Sequence, residues 1–249
     1  MKCKFSNCCN CLYLIIVLCV GAQQKLMAYL RHILQQAWHI IAKEFSLELR
    51  QKTVLYSILL YIASIVFLVY MLNPDAEGLQ WASLLWLNCV FLVVQATSKH
   101  LSAKSKGLWQ YYYTVYSAQA YFVAQVIYNV LLVSLLSLLA LLMMSGMLGF
   151  SAIHKSIFVG IYLLGAVSFA ILFTFLTQLV ARINNNSALL AVIGLPLVFP
   201  LIVVLSDLSV VAFQPMLTQG WNKFLFAALG LDVVMIAMGI ILMPYVWKD

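Results

Sequence analysis

Charged residues are scarce in this sequence. Only 8% of its 249 residues are charged and 65% are hydrophobic, whereas a soluble domain has about 25% charged and roughly 45–50% apolar residues. So few charges cannot cover the surface of a folded protein in water, and most of the chain must therefore be surrounded by lipid. This scarcity excludes soluble enzymes, nucleic-acid-binding proteins and secreted disulfide-rich domains.

The motifs of catalysis and of metal binding are also missing. The sequence has no glycine-rich phosphate loop, no acid-and-histidine metal motif and no serine nucleophile elbow. A cysteine cluster near the start has no histidine or second cysteine pair at zinc-finger spacing, which argues against a metal site there. We therefore expect no catalytic residue, no metal site and no cofactor bound directly by this chain. The cluster consists of Cys3, Cys8, Cys9, Cys11 and Cys19.

Long apolar segments without charge are what the sequence does contain. Residues 54–72 are 19 residues without a charge, and at about 1.5 Å per residue they match the roughly 30 Å core of a bilayer. Five further long apolar segments follow, and only the last contains charged residues, Lys223 and Asp232. The predicted fold is therefore all-α, a polytopic membrane protein with six transmembrane helices. The third span is expected to end at Ser145, because Gly146 and Gly149 are typical of a loop. The predicted spans are 54–72, 79–96, 121–145, 156–181, 187–206 and 221–243.

The basic residues predict the orientation. If the segment before the first span is cytoplasmic, nine of the 14 Lys and Arg residues lie on the cytoplasmic side, Lys155 and Lys223 lie on the other, and the remaining three belong to the N-terminal stretch. Short segments rich in Lys and Arg stay in the cytoplasm, so we expect an inner-membrane protein with both termini cytoplasmic. His154 then faces outward, where a lone histidine is more typical of a solvated side chain than of a haem ligand. The nine residues are Arg31, Lys43, Arg50, Lys52, Lys99, Lys104, Lys106, Arg182 and Lys248.

Residues 1–26 form a segment of their own. Lys2 and Lys4 precede an apolar stretch and a Val-Gly-Ala tripeptide at residues 20–22, so the segment resembles a secretory signal. Cleavage there would place residues 23–53 outside and invert the predicted orientation. Met27, however, begins a sequence typical of an inner-membrane N-terminus. Our hypothesis is therefore that residues 1–26 are a start-site extension and that residues 27–249 form the transmembrane permease domain.

Residues 29–45 predict an amphipathic helix lying along the cytoplasmic leaflet, because apolar residues recur there at spacings of three and four. This helix is either a membrane-surface anchor or an elbow helix that braces the bundle. Glu44, Glu48 and Arg50 follow on a charged run, which is either a solvated, self-paired helix face or a contact site for a partner. The apolar positions are Leu30, Ile33, Leu34, Trp38, Ile41, Ala42 and Phe45, and the polar ones are Gln35, Gln36, His39 and Lys43.

The segment 99–116 is the longest predicted cytoplasmic connection. It combines basic residues with a cluster of Trp and Tyr, and a positive-inside signal followed by an aromatic belt explains most of this composition. The alternative is a docking surface for a cytoplasmic partner, since loops on a rigid scaffold are frequent contact sites. The candidate contact residues here are Lys104, Lys106, Gly107 and Trp109.

Few polar groups lie within the predicted spans. Asp232 is near the middle of the sixth span, where an acid costs about 2.5–3.5 kcal/mol on insertion scales, so it should face protein or water. Its carboxyl group either forms a structural hydrogen bond between helices or takes part in transport. Asn88, Gln125 and Asn129 can form interhelical hydrogen bonds of about 0.6 kcal/mol each. Two prolines in the fifth span cause either a simple kink or a hinge or re-entrant break used in gating. They are Pro196 and Pro200.

Three segments carry a family resemblance. EFSLELRQK at residues 44–52, GLWQYYY at 107–113 and LLAVIGLPLVFPL at 189–201 together resemble the CcmB family, the permease subunit of the haem-exporter ABC transporter of cytochrome c maturation. The resemblance runs from about Met27 to Asp249 and implies an ABC-2-like exporter permease. The family's loop before the third span is commonly acidic, whereas residues 104–107 here read KSKG.

The resemblance also implies the partners and the role. The partners are a CcmA-like ATPase subunit, a CcmC-like haem-handling membrane subunit and a CcmE-like haem chaperone. The haem is handled by the complex and the ATP by the ATPase, so the chain itself is expected not to be an enzyme. Its expected function is to couple ATP hydrolysis to release of the haem-loaded chaperone. Two alternatives stay open, a permease for lipid or polysaccharide and a proton-coupled secondary transporter that uses Asp232.

Overall fold

The computed structural model describes residues 35–46, 52–103, 116–183, 187–214 and 221–246, and all the secondary structure in these ranges is helical. The seven helices are α1 at 35–46, α2 Lys52–Leu72, α3 Gly78–Ala103, α4 Ala118–Leu148, α5 Lys155–Ile183, α6 Ser187–Val210 and α7 Trp221–Val246. The hypothesis about residues 1–26 falls outside the described residues.

Five of these helices, α3 to α7, are long and apolar enough to cross a membrane. The helix α2 has 21 residues, with a shorter apolar part at Tyr56–Leu72. The prediction of an all-α membrane protein is therefore confirmed for the described part of the chain. Each predicted span lies within one helix, although most of the helices extend further than predicted.

The third span ends later than expected. The helix α4 starts at its cap Ser117, whose hydroxyl accepts a hydrogen bond from the Ala120 amide, and it runs through Ser145 and Gly146 to Leu148. Gly146 lies within the helix, and a side chain at this position would meet open space, whereas Gly149 has a φ of 81°. Because L residues rarely adopt positive φ, the chain leaves the helix at Gly149 and not at Ser145.

The helix α5 lies at the centre of the bundle and packs against α3, α4, α6 and α7. It comes very close to α3, since a Cβ added at Gly165 would overlap the buried ring of Trp86. The outer helix α7 approaches α4 in the same way, at Gly239 and Phe122. Helix association in lipid depends on such close contacts, because lipid tails are as apolar as the helix surfaces.

The connections at one end of the bundle, which we call the loop end, are 73–77, 149–154 and 211–214. The Gly78 amide donates to Ser151 Oγ at 2.6 Å, and the His154 amide donates to the Ala212 carbonyl at 3.1 Å. The connection 149–154 between α4 and α5 is thus bonded to the start of α3 and to the segment that follows α6, so it ties together the ends of four helices.

The opposite end carries α1, and we call it the α1 end. Ala37 and Ile40 of α1 pack against Tyr121 and Ala124 in the first turns of α4. The helix α1 therefore contacts the bundle directly at the start of α4.

The side of α1 that packs against the bundle is not the predicted apolar stripe. Trp38 and Phe45 of that stripe are 70% and 59% exposed, as side chains that face lipid would be, whereas Ala37 and Ile40 are buried. The small Ala37 allows α1 to approach α4 closely, and the larger aromatic side chains turn away from the bundle.

Candidate functional site

The buried polar side chains of the bundle are the candidate functional site, because each of them needs a hydrogen-bond partner in a medium without water. Several of them lie on the central helix α5 or on the helices that touch it. Within the helical spans they are Asn88, Thr97, Gln125, Asn129, Ser137, Ser168, Thr174, Thr177, Gln178, Ser209 and Asp232.

Asp232 lies on the one face of α7 that contacts protein. This carboxyl is 9% exposed, and its Oδ2 is 2.8 Å from Ser168 Oγ of α5. The same hydroxyl is 3.1 Å from the carbonyl oxygen of Leu164, one turn earlier on α5. The pair connects α7 to the centre of the bundle at about the middle of both helices.

A second polar contact joins α4 to α5. Asn129 Nδ2 donates to Thr174 Oγ1 at 2.9 Å, and Thr174 donates to the Ala170 carbonyl oxygen at 2.6 Å. Thr174 lies six residues beyond Ser168, which is about 9 Å along the axis towards the α1 end. Two polar contacts on α5 therefore connect it to α4 and to α7 at different depths.

Asn88 and Gln125 are buried as well. The Asn88 side chain is 1% exposed on α3, and neither Nδ2 nor Oδ1 has a hydrogen-bond partner among the described residues. Gln125 is 3% exposed and lies one turn before Asn129 on α4. The structure thus places Gln125 and Asn129 on one face of α4, with Asn88 apart from them on α3.

Pro196 and Pro200 are both exposed on α6, on the side that faces away from the bundle. The helix continues through both residues from Ser187 to Val210, so of the alternatives a re-entrant break is absent from α6. Each proline nevertheless removes one backbone hydrogen bond, which leaves the carbonyls of Val192 and Pro196 without their usual donors. The hinge stays a prediction.

The charged contact candidates lie at the α1 end or outside the described residues. Glu44 is 7% exposed, so the interpretation as a solvated helix face is wrong for this residue. It lies one turn after Ile40, on the side of α1 that packs against α4. The remaining candidates, which fall outside the described residues, are Glu48, Arg50, Lys104, Lys106, Gly107 and Trp109.

His154 was expected to be solvated, but its Nε2 is buried and has no hydrogen-bond partner among the described residues. The backbone bond to Ala212 holds it at the loop end. In the described ranges no three His, Cys, Asp or Glu side chains come together as a metal site.

The family model described as CcmB protein matches residues 35–244. The chain belongs to the CcmB family. The resemblance carried by the three sequence segments is thus confirmed. No curated protein and no solved structure matches the chain.

The match with the CcmB family covers the candidate site completely. It begins at the first residue of α1 and ends at Pro244, two residues before the end of α7, so it contains both polar contacts of α5. Family membership and the five apolar helices together identify an integral membrane protein, a permease of the cytochrome c maturation type.

The hydroxyl partners in the two interhelical polar contacts of this CcmB family member, Ser168 and Thr174, were both missed in the sequence. Hydroxyl side chains are common in membrane helices because they can bond to the carbonyl one turn back, as both do here. Their positions in the sequence do not distinguish Ser168 and Thr174 from other hydroxyl residues, because only the contact with another helix does so. Asp232 and Asn129 indicated that a polar partner was needed on a neighbouring helix, but not which residue it would be.

Proposed function

We propose that the protein is the force-transmitting membrane subunit of an ABC transporter for haem export or delivery in the biogenesis of c-type cytochromes. A separate CcmA-like ATPase binds and hydrolyses ATP, and this chain transmits the resulting motion so that a haem-loaded, CcmE-like chaperone is released. A CcmC-like subunit handles the haem. The observation that carries the proposal is the family match over residues 35–244, which spans every described helix.

The α1 end is the cytoplasmic side in this proposal. The basic residues Lys43 and Lys52 flank the junction of α1 and α2, and basic residues near short loops are retained in the cytoplasm. The loop end then faces outward, both termini are cytoplasmic, and the protein spans the inner membrane six times, with α2 as the first span. The helix α1 is the elbow helix, whose exposed Trp38 and Phe45 lie in the leaflet.

The contacts of the bundle provide a route for the motion. Pressure from an ATPase on α1 reaches α4 through Ile40 and Tyr121, α4 is bonded to α5 through Asn129, and α5 is bonded to α7 through Ser168. Transmission along such a route requires two discrete helix arrangements, one before and one after ATP hydrolysis. The proposed docking sites for the ATPase are α1 with the charged segment that follows it, and the segment that precedes α4.

Deletion of the gene tests the role. We expect the deletion to abolish covalent haem attachment to c-type cytochromes and to leave the chaperone loaded with haem, since its release is the step that this subunit serves. The wild-type gene in trans restores attachment. Normal haem attachment in the deletion strain would refute the proposal.

Purification of the complex tests the docking site. We expect the wild-type chain to copurify with its ATPase in mild detergent, and Ile40→Glu to reduce the recovered ATPase because a buried acid would separate α1 from α4. His39→Glu is the matched control, since His39 is exposed on the polar side of the same helix. Equal recovery with both variants would contradict docking through α1.

The buried acid favours a second function, proton-coupled secondary transport through Asp232. Asp232→Asn separates the two, because asparagine cannot exchange a proton but can still donate to Ser168. Haem attachment should persist in this variant if the chain transmits force. Its loss in a stably folded variant would favour proton coupling.

A further inference from the structure

The helix α7 touches the rest of the bundle along one narrow stripe, and Asp232 lies at the centre of that stripe. Ala228 and Met243 are almost completely buried, and Gly239 is buried against Phe122. The other faces of α7 are exposed along most of its length, and in a membrane protein such faces contact lipid. Because the stripe is narrow, the attachment of α7 depends strongly on the contact between Asp232 and Ser168.

Asp232 has no cation near it in the described helices. The charged residues of α5 are Lys155 and Arg182, which are 13 and 14 residues from Ser168, or about 20 Å along the helix. On α7 itself Lys223 is nine residues away, or about 14 Å. An ionised carboxylate at this depth would have no counter-charge.

The other titratable groups on the packed helices are neutral phenols or a distant acid. The helix α4 has Tyr121 and Tyr128 but no Asp, Glu, Lys, Arg or His between 118 and 148. The helix α5 has Tyr162 and α6 has Asp207, which is exposed near the loop end. None of these groups supplies a positive charge to Asp232.

The hydrogen bonds of Ser168 indicate the protonation state. Its hydroxyl has one hydrogen but contacts two oxygens, Oδ2 of Asp232 at 2.8 Å and the Leu164 carbonyl at 3.1 Å. If Asp232 is ionised, both oxygens are acceptors that compete for one hydrogen. If Asp232 is protonated, it donates to Ser168 Oγ while Ser168 donates to Leu164, and both contacts are complete hydrogen bonds.

We propose that Asp232 is a structural proton-binding site, in which a bound proton fastens α7 to α5 through Ser168. The ligand is the proton itself, and its loss leaves an unpaired carboxylate on the protein-facing stripe of α7. The proposal rests on the local geometry and on the absence of charge in the neighbouring described helices, and it does not depend on the transport role of the protein.

Infrared difference spectroscopy tests the protonation state. The full chain in lipid nanodiscs at about pH 5, where an exposed aspartate is ionised, is compared with Asp232→Asn, and we expect the wild type to show an additional protonated-carboxyl C=O band. Ser168→Ala should shift this band, because the carboxyl loses its acceptor. A carboxylate signal in place of the band would overturn the proposal, and so would a band that Ser168→Ala leaves unmoved.

Thermal unfolding at increasing pH tests whether the bound proton stabilises the attachment of α7 to α5. The folded chain keeps its Asp232 proton to a higher pH than the unfolded chain does, so the Tm of the wild type should fall as the pH rises until the folded carboxyl has also ionised. Asp232→Asn should remove this part of the pH dependence, because its amide donates at any pH, whereas Asp207→Asn on the exposed face of α6 should keep it. An identical pH dependence in the wild type and Asp232→Asn would overturn the proposal. If Asp232→Asn cannot be isolated, a wild-type Tm that does not fall with pH would do the same.

Discussion

The two halves of the bundle are held together in different ways. Near the loop end, rings of α3, α5 and the connections pack on one another, with Trp81 5.4 Å from Phe150 and 5.3 Å from Phe158 between ring centroids. Nearer the α1 end, the contact between α4 and α5 includes the hydrogen bond from Asn129 to Thr174. Ring packing is prominent in the first half, which also contains the hydrogen bond from Trp86 to Ser209, whereas in the second half the contact between two helices includes a pair of polar side chains.

This difference suits a protein that transmits motion. Interlocking rings have few alternative arrangements, because close-packed groups resist sliding and neighbouring positions overlap. A hydrogen bond between side chains can be exchanged for another one in a membrane interior at a cost of roughly 0.6 kcal/mol. We therefore interpret the loop-end half as the rigid part of the bundle and the α1-end half as the part that rearranges when a partner acts on α1.

The largest expected effect is at Gly165 in the loop-end half. Gly165→Ala should lower the free energy of unfolding by about 1–3 kcal/mol, because the added methyl group overlaps a ring that cannot move aside. That ring belongs to Trp86, which is bonded to Ser209 through its indole nitrogen at 2.9 Å. Unfolding of the purified chain in detergent measures the change.

Gly160→Ala is the matched control for Gly165→Ala, since it lies on the same helix with no atoms within 4 Å of the added methyl group. It should leave stability unchanged or raise it slightly through helix propensity. Combining Gly165→Ala with Trp86→Phe should recover part of the loss. If Gly165→Ala is as stable as its control, the loop-end half is not rigid.

Gly239 provides the corresponding test in the α1-end half. Gly239→Ala overlaps Phe122, but α7 is a peripheral helix and can move outward into lipid. We expect a loss of about 1 kcal/mol, at the lower end of the range for overpacking. Gly230→Ala on the same helix has open space around it and serves as the control. A loss larger than that of Gly165→Ala would reverse the comparison between the halves.

The sequence predicted the helices well and their partners poorly. In water a helix has one apolar face, which identifies its core side, but in lipid both the inner and the outer face are apolar. The sequence therefore did not reveal that α1 packs against α4 through Ala37 and Ile40. It also missed the burial of Glu44, because a charged run is typical of a solvated face.

Polar residues within the spans are the one sequence feature that identifies the packed face of a membrane helix. Asp232 indicated from the sequence alone that one side of the last span faces protein, and its carboxyl does lie against Ser168. Which helix supplies that partner was not predictable, since the hydroxyl is 64 residues away and any of several Ser or Thr side chains qualified. The packing order of the helices decides it.

The polar contact of the α1-end half should have a smaller effect. Asn129→Leu removes the bond to Thr174, which keeps its bond to Ala170, so we expect a loss of about 0.6 kcal/mol. Ser134→Ala on the same helix is the control, because its hydroxyl bonds only within α4. A loss above about 2 kcal/mol would exceed the measured range for such bonds and would show that the α1-end half is as rigid as the loop-end half.

The smallest effect is expected at Lys155, the first residue of α5. Its ammonium lies 5.7 Å from the centroid of the Phe150 ring, a contact of about 0.5–1 kcal/mol at an exposed site. A cation at a helix N-terminus is unfavourable by about 0.3–1 kcal/mol, so the two terms nearly cancel. Lys155→Gln should therefore change the free energy of unfolding by less than about 0.5 kcal/mol, as should the control Lys223→Gln near the start of α7. A loss above about 1 kcal/mol that disappears at high salt would mean that charge, and not ring packing, holds the loop end together.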